Sequence, residues 1–411
     1  MTPETVLLVH NRYRERGGED AVVEAEAGLL ERAGHRVLTW LRDNHEIAGG
    51  GGPGTALRAV WSREDRAAIG ALVRRERVDV AHFHNTFPLI SPAGLYGARA
   101  AGAAVVKTLH NFRLLCVNAQ FLRDGRTCEL CLGRAVAWPG VVHSCYRGSR
   151  GASAVVAATT GLHRAVGTWR TQVDAFIALS RFARDRFIAG GLPPERLHLG
   201  AGFVAAPPPP REGQPGTHLL FAGRLSEEKG VRVLLSAWRR LPVEVALRVI
   251  GDGPLGPEVA AAAAADPRIT WLGAVPRETV LREMAGARAL VFPALSYENF
   301  PGVLAEAQAA GLPAIASRLG STAEILDDAG SGVLVEPGDA AALAGAVQAL
   351  VADPDRRASL AAAARSYYEA RLTPERALDR LRAVYASALA HRHGALADPV
   401  LSAVQTSTDM P

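Results

Sequence analysis

Short runs of Val, Leu and Ile alternate along the chain with turns rich in Gly or Asn and with longer Ala/Leu/Arg stretches of helical period. A continuous apolar run of strand length suits a strand covered on both faces, and a helical stretch between successive runs supplies the crossover of a parallel sheet. In the first half the pattern predicts strands at 5–9, 36–40, 78–83, 104–109 and 175–179, with helices near 20–33, 63–76 and 180–189. The four prolines at 207–210 lack amide donors and force an extended backbone, so 207–215 reads as a linker. A second series follows, with strands predicted at 218–222, 246–250, 269–272, 289–292, 314–316 and 332–335. The expected fold class is α/β: two Rossmann-like domains, residues 1–206 and 216–373, facing across a cleft that takes the ligand at the C-terminal edges of the strands. Helical period resumes over 374–391, giving a C-terminal helix 374–394, and 395–411 is expected to be a disordered tail.

Composition agrees with two globular domains. The chain has 411 residues, 48% hydrophobic and 21% charged, too long for one ordinary core and too apolar for disorder. Lys and Arg number 46 against 41 acidic residues, a formal charge of +5 without a long basic block. That balance, with 6% aromatic residues and no zinc-finger, homeodomain or RNP-type signature, argues against nucleic acid as a partner. The opening run 5–9 has no basic region before it and is followed by Arg12, Arg14 and Arg16, so it reads as a buried strand. No apolar stretch approaches the roughly 20 residues of a spanning helix. The expectation is a cytoplasmic protein; Arg147, Arg150, His163, Arg164 and Arg170 around 152–162 offer peripheral contact with an anionic inner membrane face, the alternative being a solvated helix face.

Two loops carry the chemistry of the second half. Gly223-Arg224-Leu225-Ser226-Glu227-Glu228-Lys229-Gly230 lies between a predicted strand and helix and places two cations there, a planar fork and a point charge, suited to a diphosphate. Ser296-Tyr297-Glu298-Asn299-Phe300-Pro301-Gly302-Val303-Leu304-Ala305-Glu306 again joins a strand to a helix. Pro301 and Gly302 put the helix start near Gly302, leaving Glu298 in the loop, Glu306 one turn inside, and the amides of residues 302–304 between them. Each carboxylate suits sugar hydroxyls while the helix end takes phosphate. Read singly, either loop is also consistent with ordinary surface charge.

Together these loops resemble the retaining glycosyltransferases of the GT-B fold, family 4 (glycosyltransferase group 1). The match lies in Gly223-Arg224-Leu225-Ser226-x-x-Lys229-Gly230, in Val249-Ile250-Gly251-Asp252-Gly253-Pro254, and in Glu298-x7-Glu306 followed by Ala307 to Gly311. The resemblance implies that Arg224 and Lys229 hold the donor diphosphate and stabilise the leaving group. It places Glu298 at the donor sugar hydroxyls, Glu306 at the ribose, and Gly251 with Val275 around the base. Asn299-Phe300-Pro301-Gly302 departs from the usual pair after the first glutamate. Because Pro301 has no amide, the phosphate cradle falls to Gly302 and Val303, with Asn299 beside them. His110, with Asn111 next to it, resembles the family histidine near the donor sugar, and relatives use a loop like the one holding Gly17 and Gly18 near the donor phosphate and acceptor.

The implied activity is transfer of a hexose-type sugar from a UDP- or GDP-sugar to a hydroxyl of a glycan, lipid-linked glycan or small natural product, with retention and without a catalytic metal. The alternatives are a catalytically silent sugar-nucleotide-binding protein and a donor-sugar epimerase or hydrolase. His82 and His84 end a strand; His84 is expected on the acceptor side, and His82 equally suits the core. Four cysteines, Cys116, Cys128, Cys131 and Cys145, fall in an insertion at about 112–150. A structural zinc site on all four, with His143 as a spare ligand, is the first expectation; buried thiols and disulfides are the others.

Overall fold

The computed structural model describes residues 4–15, 17–47, 52–200, 202–205, 207, 216–242 and 244–394. The predicted linker, apart from Pro207, and the predicted tail 395–411 lie outside the described residues. In chain order the strands are β1 (Thr5–Arg12), β2 (Arg36–Asp43), β3 (Val80–Phe83), β4 (Ala104–Leu109), β5 (Leu122–Arg123), β6 (Arg126–Thr127), β7 (Ala175–Ala178), β8 (Leu197–Leu199), β9 (His218–Ala222), β10 (Ala246–Ile250), β11 (Ile269–Gly273), β12 (Ala287–Phe292), β13 (Ala314–Ser317) and β14 (Gly332–Val335).

The chain forms two compact units. The first contains the described residues of Met1–Gln120, Glu129–Ala201 and Ala377–Pro411; the second those of Phe121–Cys128 and Gly202–Arg376. This differs from the sequence-based domain boundaries at two places. The C-terminal helix Pro374–Arg392 gives Leu381, Val384, Tyr385 and Ala388 to the apolar cluster of Val6, Leu8, Val80 and Val106, so from Ala377 onward it belongs with the first unit. The hairpin β5–β6 groups with the second unit, where the fully buried Phe121 sets its ring edge-on to Tyr297 at 5.9 Å.

The first sheet has the order β2-β1-β3-β4-β7-β8, every pairing parallel. Its central strands β3, β4 and β7 are buried throughout. β2 runs three residues past its predicted end, through Leu41, Arg42 and Asp43. As an edge strand half open to solvent it tolerates the polar residues that hid this extension. The three-residue β8 and the helices Pro53–Val60 and Ala93–Ala100 were not predicted either; the last packs so close to the Arg63–Glu76 helix that a Cβ on Gly97 would fall 2.2 Å from the Arg66 carbonyl oxygen.

The second sheet has the order β11-β10-β9-β12-β13-β14, also parallel. In each sheet the sequence order reverses once, between β1 and β3 and between β9 and β12. At such a switch point the helices that follow the two strands go to opposite faces of the sheet, which leaves a crevice for a ligand at the strand C-termini.

Candidate functional site

The loop after β9 and the loop after β12 meet at the switch point of the second sheet. The leucine amide of Leu295 donates to the Glu228 carbonyl, 2.8 Å, and Lys229 Nζ donates to Glu298 Oε1 at 2.5 Å. Both side chains are only partly covered, 25% and 18% exposed, and the Lys229 ammonium lies 5.7 Å from the Phe292 ring centroid. Arg224 is exposed on the same loop. The Ser321 hydroxyl donates to the Glu298 backbone carbonyl, which fixes the residue carrying the carboxylate.

Glycines bring these loops together. Gly230 has φ +72°, and a Cβ there would sit 1.8 Å from the Pro293 carbonyl oxygen. Gly251, φ +126°, would put a Cβ 1.9 Å from the Gly223 carbonyl oxygen. Gly251 is thus demanded by its neighbouring loop, a packing role besides the base-framing one the resemblance implies. Val275 is half-buried and packs on the apolar cluster around Leu290 and Phe292.

The helix Gly302–Ala309 begins where the sequence placed it, after Pro301. The Leu304 amide already donates to the Pro301 carbonyl, 3.0 Å, which corrects the expectation of three open amides at 302–304. Gly302 and Val303 remain, with nothing within 4 Å of where a Gly302 side chain would begin. Asn299 is buried. Glu306 Oε1 meets Arg277 Nη2 at 2.9 Å. Burial pushes the Glu306 carboxyl above its usual range, and the Arg277 guanidinium opposes that shift.

In the first unit the switch-point loops are tied by asparagines: Asn11 N donates to the Asn85 carbonyl, Asn85 Nδ2 to the Asn11 carbonyl, and Leu89 N to Asn11 Oδ1, all at 2.8–2.9 Å. Beside them opens a pocket whose polar side is made by Glu19, His84, Lys107, His110, Asn111 and Arg113. Asn111 Nδ2 and the Tyr13 hydroxyl each donate to a different oxygen of Glu19, at 2.9 Å. Arg113 is held over the rings of Phe87 and Tyr146. Lys107 is 7% exposed and donates to the His84 carbonyl at 2.9 Å; burial pulls its ammonium down to about 8. Gly17 caps the Gly18–Arg32 helix in an extended conformation, its amide donating to Asp20 Oδ2. Neither Gly17 nor Gly18 has the positive φ that would require glycine, and no atom lies within 4 Å of where a Gly18 side chain would begin.

The histidines gather more closely than their spacing implied. His84 Nδ1 and His110 Nε2 are 2.8 Å apart with the rings stacked. His82 sits wholly in the core, but its partners are side chains, the Thr108 and Tyr385 hydroxyls and the Glu26 carboxylate. Metal-ligand separations among the described residues also occur here, at Glu26, His82 and His84. The cysteine zinc expectation fares differently. Among the described residues no three of the four cysteines stand at metal-ligand separation: Cys116 Sγ donates to Asn118 Oδ1, Cys131 Sγ donates to the Ala137 carbonyl, and Cys131 and Cys145 pack with Val117, Ala137 and Val156. Sequence reasoning missed Glu26, Lys107, Glu19 and Arg277. For Lys107 the signal was present, one lysine inside an otherwise apolar strand; for Glu26 there was none, since its partners lie 56 and 58 residues away.

Residues 216–353 match the family model described as glycosyl transferases group 1. The D-inositol 3-phosphate glycosyltransferase 1 of Catenulispora acidiphila is 30% identical over 336 residues, 76% of this chain and 72% of that protein. The D-inositol 3-phosphate glycosyltransferase of Pseudarthrobacter chlorophenolicus is 35% identical over 161 residues, 36% of this chain, and the match spans only 38% of that protein's length. Among solved structures, Anabaena HepE in complex with UDP is similar over 93% of this chain and 100% of its own, with a TM-score of 0.66 at 17% identity, a likeness of fold. With its two parallel sheets, its motifs on the loops of the second, and a relative aligned over most of both lengths, the chain belongs to the group 1 glycosyl transferases and has the GT-B fold.

Proposed function

We propose that the protein transfers a hexose-type sugar from a UDP- or GDP-sugar to a hydroxyl of a glycan, lipid-linked glycan or small natural product, with retention of configuration. The observation that carries this reading is the Lys229–Glu298 pair at the switch point of the second sheet, with exposed Arg224 and the helix start at Gly302 in the same unit. Arg224 and Lys229 take the diphosphate, and the amides of Gly302 and Val303 complete its cradle. Glu298 accepts from the donor sugar hydroxyls and Glu306 from those of the ribose. The bond between the sugar C1 and the diphosphate oxygen breaks, the acceptor oxygen bonds to C1 on the same face, and the acceptor proton passes to the departing diphosphate. The pocket in the first unit takes the acceptor, with His84 on its wall, while His110 and Asn111, which line the same pocket, meet the donor sugar as the resemblance implies. UDP in the HepE structure and the inositol phosphate named for the relatives support a nucleotide-sugar donor and a polyol acceptor.

Peripheral contact with an inner membrane face belongs to the same reading. No helix among the described residues is long and apolar enough to cross a membrane, while Trp138, Val142, Leu162 and Val166 are exposed, as are Arg147, Arg150 and Arg170; His163 is instead buried against Thr168 and the Val60 carbonyl, and Arg164 donates to the Arg134 and Gly190 carbonyls, so these two do not serve the contact.

Replacing Lys229 by Ala tests the function. Turnover is expected to fall by roughly 100-fold or more, the scale for losing a group that stabilises the developing charge, with uridine or guanosine binding nearly unchanged. Equal loss of both makes Lys229 structural. Because two cations meet the diphosphate, turnover should also persist in EDTA. Free sugar released without acceptor, as fast as transfer with it, would identify a hydrolase; donor binding with no turnover, a silent binding protein.

A further inference from the structure

Lys107 stands in β4 between Val106 and Thr108, on the wall of the pocket in the first unit. The residue is 7% exposed, and of the three N–H groups of its ammonium one is used within the protein, donating to the His84 carbonyl at 2.9 Å. A charge buried this far needs a counter-charge, since a single carbonyl offsets only part of what it loses in leaving water. Among the described residues no carboxylate is ion-paired with it.

Arg113 lines the same pocket in a similar condition. Its guanidinium lies 4.7 Å from the Phe87 ring centroid and 5.2 Å from that of Tyr146, and of its five side-chain N–H groups one reaches a protein acceptor, the Val117 carbonyl at 3.4 Å. The rings hold the group in place without neutralising it. Among the described residues the one carboxylate on this wall is Glu19, and both of its oxygens are engaged, Oε1 by Asn111 Nδ2 and Oε2 by the Tyr13 hydroxyl, each at 2.9 Å. Two cations against one anion leave the wall with a positive charge to match, and a proton on His84 or His110 could only add to it. A neutral sugar hydroxyl would accept one of the free N–H groups and leave that charge unmatched. A phosphate or carboxylate meets both needs, accepting from the lysine as a point charge and from the arginine as a fork. Ala59, Leu114 and Trp169 on the same wall keep water from the pairing and so strengthen it.

We propose that Lys107 and Arg113 form an anion subsite in this pocket, and that the acceptor carries a phosphate or carboxylate group there besides the hydroxyl that receives the sugar. The inference rests on the proposed function only in making the bound anion an acceptor. That the pocket takes an anion is a property of the first unit alone.

Calorimetric titration of the full chain with glucose, glucuronate and glucose 6-phosphate tests it, because the three share one ring and differ at C6 as hydroxyl, carboxylate and phosphate. At least one of the anionic sugars should bind about 10- to 100-fold more tightly than glucose, the scale for hydrogen bonds to charged groups, and which one does so tells phosphate from carboxylate. Lys107→Met should erase that ratio and Lys229→Ala, in the second unit, should keep it. Arg113→Gln, at a half-buried position, should reduce it and serves if Lys107→Met does not fold. Equal binding of all three sugars, or of none, overturns the proposal, as does a ratio that survives both Lys107→Met and Arg113→Gln. A ratio lost in Lys229→Ala instead puts the anion on the donor site and overturns it too. If the binding pattern is as stated but Lys107→Met leaves sugar transfer unchanged, the anion subsite stands and the acceptor role given to the pocket under the proposed function fails.

Discussion

Lys107 puts an ammonium into a strand otherwise made of Ala, Val, Thr and Leu, and its burial has a thermodynamic signature. Its group is pulled down to about 8 from an ordinary 10.5. Between those pH values the unfolded chain holds a proton that the native chain has released, so stability rises with pH across that window, and below it the native state carries a desolvated charge. The shift corresponds to a cost on the order of 3 kcal/mol. Lys107→Met is expected to raise Tm at pH 7, with the advantage fading toward pH 10.5, as read by thermal unfolding at the two pH values. A lower Tm at pH 7 would mean that its bond to the His84 carbonyl outweighs the desolvation. A charge kept at such expense on a pocket wall is better explained by what the pocket binds than by the fold.

At the scale of elements, two glycines in the second unit have opposite meanings. Gly230 starts the helix Val231–Trp238 in a left-handed conformation against the Pro293 carbonyl, and it lies one residue from Lys229. Gly230→Ala therefore pushes the loop after β9 off the loop after β12; a loss of about 3 kcal/mol or more is expected in urea unfolding, the scale of combined overpacking and backbone strain. Gly302 faces open space at the start of its helix. Gly302→Ala should leave stability within about 0.5 kcal/mol, as for a surface substitution, yet raise the donor KM, because the proposed function brings phosphate to the amides where a methyl group now stands. Equal stability changes in the two variants would contradict this assignment. The sequence offered both glycines in the same guise, a residue between strand and helix, and only the distances to neighbouring backbone separate them.

For the molecule as a whole, the C-terminal helix is the connection that spacing along the chain hides. Leu381, Val384 and Tyr385 complete a core begun by Val6 and Leu8, and the Tyr385 hydroxyl reaches His82 at 2.9 Å, 303 residues earlier in sequence. Leu381→Ala is expected to cost about 2–5 kcal/mol, as for other buried leucines, and to open the first unit, giving faster proteolysis within Met1–Gln120. Cleavage confined to the second unit would show that the helix supports that one instead.

The sequence by itself determined the alternation of strands and helices, the ends of β4, β9, β10 and β14 to the residue, the start of the helix at Gly302, and the pairing of a basic loop with a two-glutamate loop. Those features are local: they depend on apolar periodicity, proline and glycine, each readable within a dozen residues. Tertiary structure alone decided that Glu26 lies against His82 and His84, that Lys107 is buried in a pocket wall, that Cys131 and Cys145 pack as apolar side chains, and that the last helix belongs to the first unit. These depend on which distant segments a parallel sheet sets side by side, and nothing in the order of residues marks that before the chain has folded.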